Sequence, residues 1–459
     1  MSRLVVVSNR VNVPRQRQKP QAGGLAVALA GALAECGGLW FGWDGQTSAA
    51  PPQTPAWAEV DGIGYATTPL STAEHEHYYM GFANSVLWPL CHFMPGRMRY
   101  RRDDRSGYMA VNRRFADQIA QLLRGDELIW VHDYHLAPLA AELRALGVQQ
   151  PLGFFLHIPF PSFGLLRALP DWRDWLEALA QFDVIGVQTP EDRRALDTAL
   201  VYGLGGRMVD SGVQLGGRTV RTMARPVGVE VDELAATAAA TAHSRRVQRL
   251  LASLGRRELM IGVERLDYSK GLPNRLDAYE HFLVTHPRRQ GRTVFMQIAS
   301  PSREDIGQYA DLQATLESKA GHINGRYADF DWVPVRYLHK TFARGSLLGF
   351  FRTARVGLVT PLRDGMNLVA KEFVAAQDPH APGVLVLSEL AGAADELDAA
   401  VQVNPNDTEG MAAAMEQALT MPADERRARW LDMITVLRAH SLDHWWRGCL
   451  RELEATKPD

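Results

Sequence analysis

The chain has 459 residues, long for one core and long enough for two or three. Its 50 basic and 52 acidic side chains nearly cancel, and a 22% charged, 46% hydrophobic composition is ordinary for a globular protein. That excludes a field strong enough to recruit nucleic acid or an anionic membrane. Any anion must be held by local basic sites.

The opening MSRLVVVSNR has only a four-residue apolar run, too short for a secretory leader. Residues from Gly24 to Trp43 are apolar but rich in Ala and Gly, carry Glu35 and are broken by Gly37 and Gly38, so no membrane span is expected. Cys36, Cys91 and Cys449 are odd in number and lack C-x-x-C spacing, which predicts buried thiols in a reducing, cytoplasmic setting.

In chain order, short β-branched or aromatic runs each lead through turn chemistry into helical periodicity, the pattern of βα units and a parallel sheet. LVVVSNR is the first. After a loop from Val11 to Ala22 that is basic through Arg15, Arg17 and Lys19, GGLAVALAGALAE places Leu25, Leu29 and Leu33 on one helical face. LIWVHDYH (Leu128 to His135) and GFFLHIPFP follow, with polar residues at their exits. In FDVIGVQTPEDRRAL, Thr189 is an expected N-cap, Pro190 the first helical residue and Asp192 the capping acid.

A lobe boundary is expected around ARPVGVEVDEL, Ala224 to Leu234. Beyond it LMIGVER, TVFMQIAS, VGLVTPL and GVLVLSE read as strands, so both halves look doubly wound. The resulting division is 1–228, 229–442 and a C-terminal helix 443–459, which Trp445 and Trp446 would anchor on the N-terminal lobe.

Ligands of doubly wound domains sit beyond the carboxyl ends of the strands, so polar clusters there carry most weight. PLRDGMNLVAKEF runs from Pro361 to Phe373; its helix is expected to start near Met366 with unpaired, partly positive amides suited to an anion or a sugar hydroxyl. The bland alternative is capping by Asp364, with Lys371 and Glu372 on a solvated face. GVERLDYSKG offers Arg265 and Lys270, a planar fork and a mobile point charge suited to a diphosphate, against a surface pair of Arg265 with Asp267. Asp133 and His157 end two further strands, where helix capping and a satisfied core imidazole compete with a functional role. HDYH has an i, i+3 pair of histidines but no third ligand, so no metal is expected.

Taken in order, VVVSNR with GGL, WVHDYHL, GFFLHIPFPS, VERLDYSKGLP and PLRDGMNLVAKEFVAAQD closely resemble the trehalose-6-phosphate synthases, retaining glycosyltransferases of family 20. The resemblance runs from Leu4 to about Ala439. It implies an α/β fold of GT-B type: two facing Rossmann-like doubly wound lobes with the active site in the cleft between them. It implies that Arg265 and Lys270 hold the diphosphate of UDP-glucose near the backbone amides of Leu368 and Val369, that Ala370 and Lys371 also belong to the donor site, and that Glu372 binds the ribose. Gly23 and Gly24 would let a helix terminus approach the phosphates, Phe342 would pack by the uracil, and Asp364 would accept from the donor glucose. For glucose 6-phosphate it implies Arg10 and Arg303 on the phosphate, Tyr79, Trp88 and Trp43 as pocket walls, and Asp133 on the acceptor hydroxyls. His157 would contact the donor sugar near the reacting centre, so that Asp133, His157, Arg265, Lys270 and Asp364 form the catalytic set.

The implied reaction gives α,α-trehalose 6-phosphate and UDP with retained donor configuration. It needs no metal or other cofactor, only small-molecule partners, and leaves homo-oligomerisation open. Rival readings are a transferase using ADP- or GDP-glucose, a pseudoglycosyltransferase joining cyclitols, and a catalytically silent sugar-phosphate sensor. No D-x-D-x-[TV] phosphatase region is visible.

Overall fold

The structure, a computed structural model, describes residues 3–14, 24–302 and 307–457. It divides into two compact units, Met1–Val227 with Asp443–Asp459, and Gly228–Leu442. The division falls one residue before the expected boundary, so that Gly228 opens the second unit.

The first unit is built on ten strands: β1 (Leu4–Arg10), β2 (Gly38–Thr47), β3 (Ala56–Val60), β4 (Ile63–Leu70), β5 (Leu128–His132), β6 (Leu152–Phe155), β7 (Val184–Val187), β8 (Arg207–Val209), β9 (Gly212–Leu215) and β10 (Arg218–Ala224). They lie in the order β3-β4-β2-β1-β5-β6-β7-β10-β9-β8. Pairing is parallel from β4 through β10 and antiparallel only at the two edges, β3 with β4 and the β10–β9–β8 meander. The central strands β5, β6 and β7 are buried along their whole length, as expected of strands covered on both faces.

The second unit has six strands, all parallel: β11 (Glu258–Arg265), β12 (Thr293–Ser300), β13 (Val335–Leu338), β14 (Val356–Val359), β15 (Val384–Ser388) and β16 (Val401–Val403). Their order is β13-β12-β11-β14-β15-β16, the Rossmann order 3-2-1-4-5-6. The strands read from LMIGVER, TVFMQIAS, VGLVTPL and GVLVLSE are β11, β12, β14 and β15.

Each sheet has one switch point, where the strand order reverses and the crossover helices diverge. In the first unit it lies between β1 and β5, in the second between β11 and β14. Register aligns Ser8 with His132 across the first and Met260 with Val356 across the second. Residues that leave these strand ends therefore enter a crevice, the place where such sheets bind ligands.

From Asp443 onward the C-terminal helix (Leu442–Glu454) belongs to the first unit. Trp445 is fully buried, its ring 5.1 Å from that of Trp130 and 5.0 Å edge-on to Phe155. Arg447 pairs with Glu35 and Arg221 with Glu452. Among the described residues no helix is long and apolar enough to cross a membrane.

Candidate active site

At the first switch point, Arg10 leaves β1 exposed, with its guanidinium 5.7 Å above the Trp43 ring. Trp43 is buried against Tyr79 and His75, at ring separations of 5.4 and 5.5 Å. Tyr79 comes from a thirteen-residue π-helix, His75–Leu87. The wider turn is supported by Asn84 Nδ2 donating to Tyr79 O and Ser85 Oγ donating to Met80 O, both five residues back. It puts consecutive tyrosines to different uses. Tyr78 is buried and its hydroxyl donates to Asn9 Oδ1 at 2.8 Å, while half-exposed Tyr79 stacks on His135 at 5.9 Å. Trp88 follows this helix, buried, its ring 5.7 Å from Tyr134.

Asp133 leaves β5 with φ 75°, a left-handed conformation uncommon for a residue other than glycine. Both ends of the residue are held: its amide donates to Phe155 O at 2.8 Å, and its Oδ1 accepts from the His157 amide at 3.3 Å. His157 in turn has its Nε2 3.1 Å from His132 Nδ1 and its Nδ1 3.5 Å from Gln188 Nε2. Burial pushes the His157 imidazole down to about 3, and burial with the neighbouring His157 ring pushes His132 well below its ordinary value. Both rings are neutral at physiological pH.

At the second switch point, Arg265 ends β11 exposed, with Nη1 3.4 Å from Ser302 Oγ. The turn that follows is set by Asp267, whose Oδ1 accepts from the Ser269 amide at 3.0 Å, and by Gly271 at φ 65°. A Cβ at Gly271 would lie 2.3 Å from Thr360 O, so only glycine lets this turn close on the end of β14. Lys270 is brought by that turn to 2.5 Å from Asp364 Oδ2, and Asn367 Nδ2 donates to the same oxygen at 2.9 Å.

The helix after β14 runs Leu368–Ala376, two residues later than expected, and its cap is Asn367 rather than Asp364. Asn367 adopts φ 82° and its Oδ1 accepts from the Ala370 amide at 3.2 Å. Ala370 N–H is thereby satisfied, whereas Leu368 and Val369 carry first-turn amides that have no partner inside the helix. Lys371 corrects the solvated-face reading: its ammonium is wholly buried and paired with Glu396, whose other oxygen lies 2.7 Å from His440 Nδ1. A donor would meet Lys371 only through its backbone. Glu372 accepts from Arg344 Nη2 at 2.9 Å; burial raises its carboxyl above the usual range, against the lowering effect of Arg344. Phe342 is half-buried, flanked by Lys340 at 5.3 Å and Arg246 at 5.6 Å and edge-on to Phe350.

Arg275 lies behind this crevice, fully buried. It donates to Thr360 Oγ1, Gln297 Oε1, Glu264 Oε1 and the Lys270 carbonyl, at 3.0, 3.0, 3.2 and 3.4 Å. Four segments that carry or adjoin Arg265, Lys270 and Asp364 thus meet at one guanidinium.

The structure therefore gathers Arg10, Trp43, Tyr79 and Asp133 at one switch point and Arg265, Lys270, Asp364, Leu368, Val369 and Glu372 at the other. Gly24 is the first residue of the helix Gly24–Cys36; Gly23 and Arg303 lie outside the described residues. Sequence reasoning missed Gln188, His132, Arg275, Arg344 and Asn367. Only Asn367 carried a local signal, an Asx residue just ahead of an apolar run. No group of three or more His, Cys, Asp or Glu side chains is placed to hold a metal among the described residues.

The sequence model of glycosyltransferase family 20 matches residues 2–455. The trehalose-6-phosphate synthase of Sinorhizobium fredii is 45% identical over 459 residues, covering 99% of each chain. An alpha,alpha-trehalose-phosphate synthase (UDP-forming) from Burkholderia xenovorans, solved in complex with glucose-6-phosphate, is 47% identical, with a TM-score of 0.94 over 98% of this chain and 100% of that one. A structure described as trehalose-6-phosphate from E. coli bound with UDP-2-fluoro glucose is 44% identical, with a TM-score of 0.95 over 100% of both chains. With a family match that spans nearly its whole length, the chain belongs to glycosyltransferase family 20.

Proposed function

We propose that this chain transfers glucose from UDP-glucose to the anomeric hydroxyl of glucose 6-phosphate, releasing UDP and α,α-trehalose 6-phosphate with the donor configuration retained. The observation that carries this reading is the convergence of Arg265, Lys270 and Asp364 on the switch point of a Rossmann sheet, in a chain that matches its UDP-forming relatives from end to end.

Lys270 and Arg265 are the cations for a diphosphate. An arriving diphosphate competes with Asp364 for the Lys270 ammonium, and the released carboxylate oxygen then accepts from a glucose hydroxyl. Leu368 and Val369 donate amides to the phosphates at the partly positive helix end. Glu372, steadied by Arg344, accepts from the ribose, and Phe342 packs by the base.

At the other switch point Arg10 holds the acceptor phosphate, Trp43, Tyr79 and Trp88 wall the sugar, and Asp133 orients its hydroxyls; Arg303 is read as a second cation for that phosphate. Retention proceeds on one face of the donor sugar, with the leaving phosphate taking the acceptor proton. The protein's part in catalysis is then positioning and charge stabilisation, with no covalent bond between the sugar and a side chain. His157 serves beside the sugar as a neutral group. Cys36, Cys91 and Cys449 form no disulfide with one another, which favours a reducing, cytoplasmic setting.

The direct test is UDP release by purified protein with UDP-glucose and glucose 6-phosphate, beside ADP-glucose, GDP-glucose and unphosphorylated glucose. Release that requires the phosphorylated acceptor supports the reading; release with another nucleotide sugar alone changes the donor, and none with any pair favours a sensor.

A further inference from the structure

The proton positions on His157 follow from a chain of hydrogen bonds that begins at a backbone amide. Val227 N–H can only donate, and it donates to Gln188 Oε1 at 3.0 Å. That orients the carboxamide, so the atom 3.5 Å from His157 Nδ1 is the amino nitrogen Nε2, again an obligate donor. His157 Nδ1 must then accept, and the neutral ring carries its proton on Nε2. Nε2 lies 3.1 Å from His132 Nδ1, which must accept in turn, leaving the His132 proton on its own Nε2. The other neutral tautomer of His157, or an imidazolium, would set an Nδ1–H against the Gln188 amino group.

The surroundings hold the ring in place. Phe155 packs at 4.8 Å, His132 stacks at 5.4 Å and Trp445 of the C-terminal helix closes at 5.9 Å. Among the described residues, the titratable groups bonded to it are His132 and Asp133, and Asp133 bonds the His157 backbone rather than its ring.

We infer that Gln188 and His132 are positioning residues that lock His157 as the neutral, Nε2-protonated imidazole, with both ring nitrogens occupied, so that it acts beside the sugar as an uncharged group and neither gives nor takes a proton. This rests on the proposed function, which puts His157 next to a sugar developing positive charge. An imidazolium there would oppose that charge. The device is an electrostatic one: it withholds a positive charge.

The test uses the full chain labelled with 15N-histidine, its long-range proton–nitrogen correlations assigned with His157→Gln and His132→Gln. Wild type is expected to show His157 with a bare Nδ1 and a protonated Nε2 throughout pH 6 to 9. Gln188→Glu keeps an acceptor for Val227 N–H but turns a carboxylate toward Nδ1, and is expected to yield an imidazolium at low pH. Its kcat relative to wild type should then fall about 10- to 100-fold toward pH 6 and recover as the ring loses its proton. Gln188→Met removes both bonds and should lower kcat without that acid limb, with KM for glucose 6-phosphate little changed.

A wild-type His157 protonated on Nδ1 would overturn the inference whatever the variants do. So would a Gln188→Glu enzyme with wild-type kcat at every pH. If no nucleotide sugar supports turnover the proposed function fails, while the wild-type spectrum still decides the tautomer.

Discussion

On the proposed function, Lys270 and Asp364 are a single pair that serves both folding and chemistry. At 2.5 Å and nearly buried, each neutralises the other in the structure, and each is the group a nucleotide sugar would need. Lys270→Ala removes charge stabilisation that grows as UDP leaves, so kcat is expected to fall by about 10²- to 10³-fold, with a smaller change in KM for glucose 6-phosphate. An unchanged kcat in steady-state assays would contradict the diphosphate role. The two histidines predict a pH dependence of stability. Unfolded imidazoles ionise near 6.5, whereas burial holds His157 at about 3 and His132 well below its ordinary value. Unfolding therefore takes up protons below pH 6.5: the contribution is complete above that pH and is lost as pH falls toward 3. The loss approaches about 1.4 kcal/mol per pH unit for each proton taken up. Urea midpoints measured from pH 7 to 4 should fall less steeply in His157→Gln than in wild type.

At the scale of elements, the helix Leu368–Ala376 and the strand ends around Arg275 decide whether the donor crevice exists. Asn367 combines a left-handed φ with a capping bond, so Asn367→Ala is expected to cost about 1–2 kcal/mol and Asn367→Gly clearly less, as read from thermal unfolding. Arg275→Met leaves Glu264 buried beside an apolar chain, where burial already raises its carboxyl. A loss of about 3–5 kcal/mol is expected, together with reduced turnover because the Lys270 turn and Thr360 lose their common anchor. Much of this level was legible in the sequence. Apolar runs with polar exits marked the strands β1, β5, β6, β11, β12, β14 and β15, because parallel strands buried on both faces must be continuously apolar. The π-helix His75–Leu87 was not legible, since its spacing overlaps that of an ordinary helix. Nor were the edge strands β3 and β8 or β9 beside the latter, which are short and partly exposed. Lys371 looked solvated because adjacent Lys and Glu usually are. Its partner Glu396 lies 25 residues away, and only the fold brings the two together.

The whole molecule is a GT-B type chain whose two Rossmann-like units each carry one polar constellation at one switch point. On the proposed function, most donor contacts come from the second unit and most acceptor contacts from the first. Hydrogen exchange is expected to slow on adding UDP-glucose at the ends of β11 and β14 and in the first turn of Leu368–Ala376, and on adding glucose 6-phosphate at the ends of β1 and β5. Either substrate at 100 times its Kd should add about 2.7 kcal/mol of apparent stability to the unit that binds it. The retained, phosphorylated, α,α-linked product is the central claim, and one measurement addresses it most directly. UDP-glucose labelled with 13C at the glucosyl anomeric carbon is incubated with unlabelled glucose 6-phosphate, and the product is read by NMR. The account predicts the label in an α-configured anomeric carbon joined to the anomeric carbon of glucose 6-phosphate. Labelled free glucose, a β-configured carbon or a linkage to any other acceptor hydroxyl would contradict it.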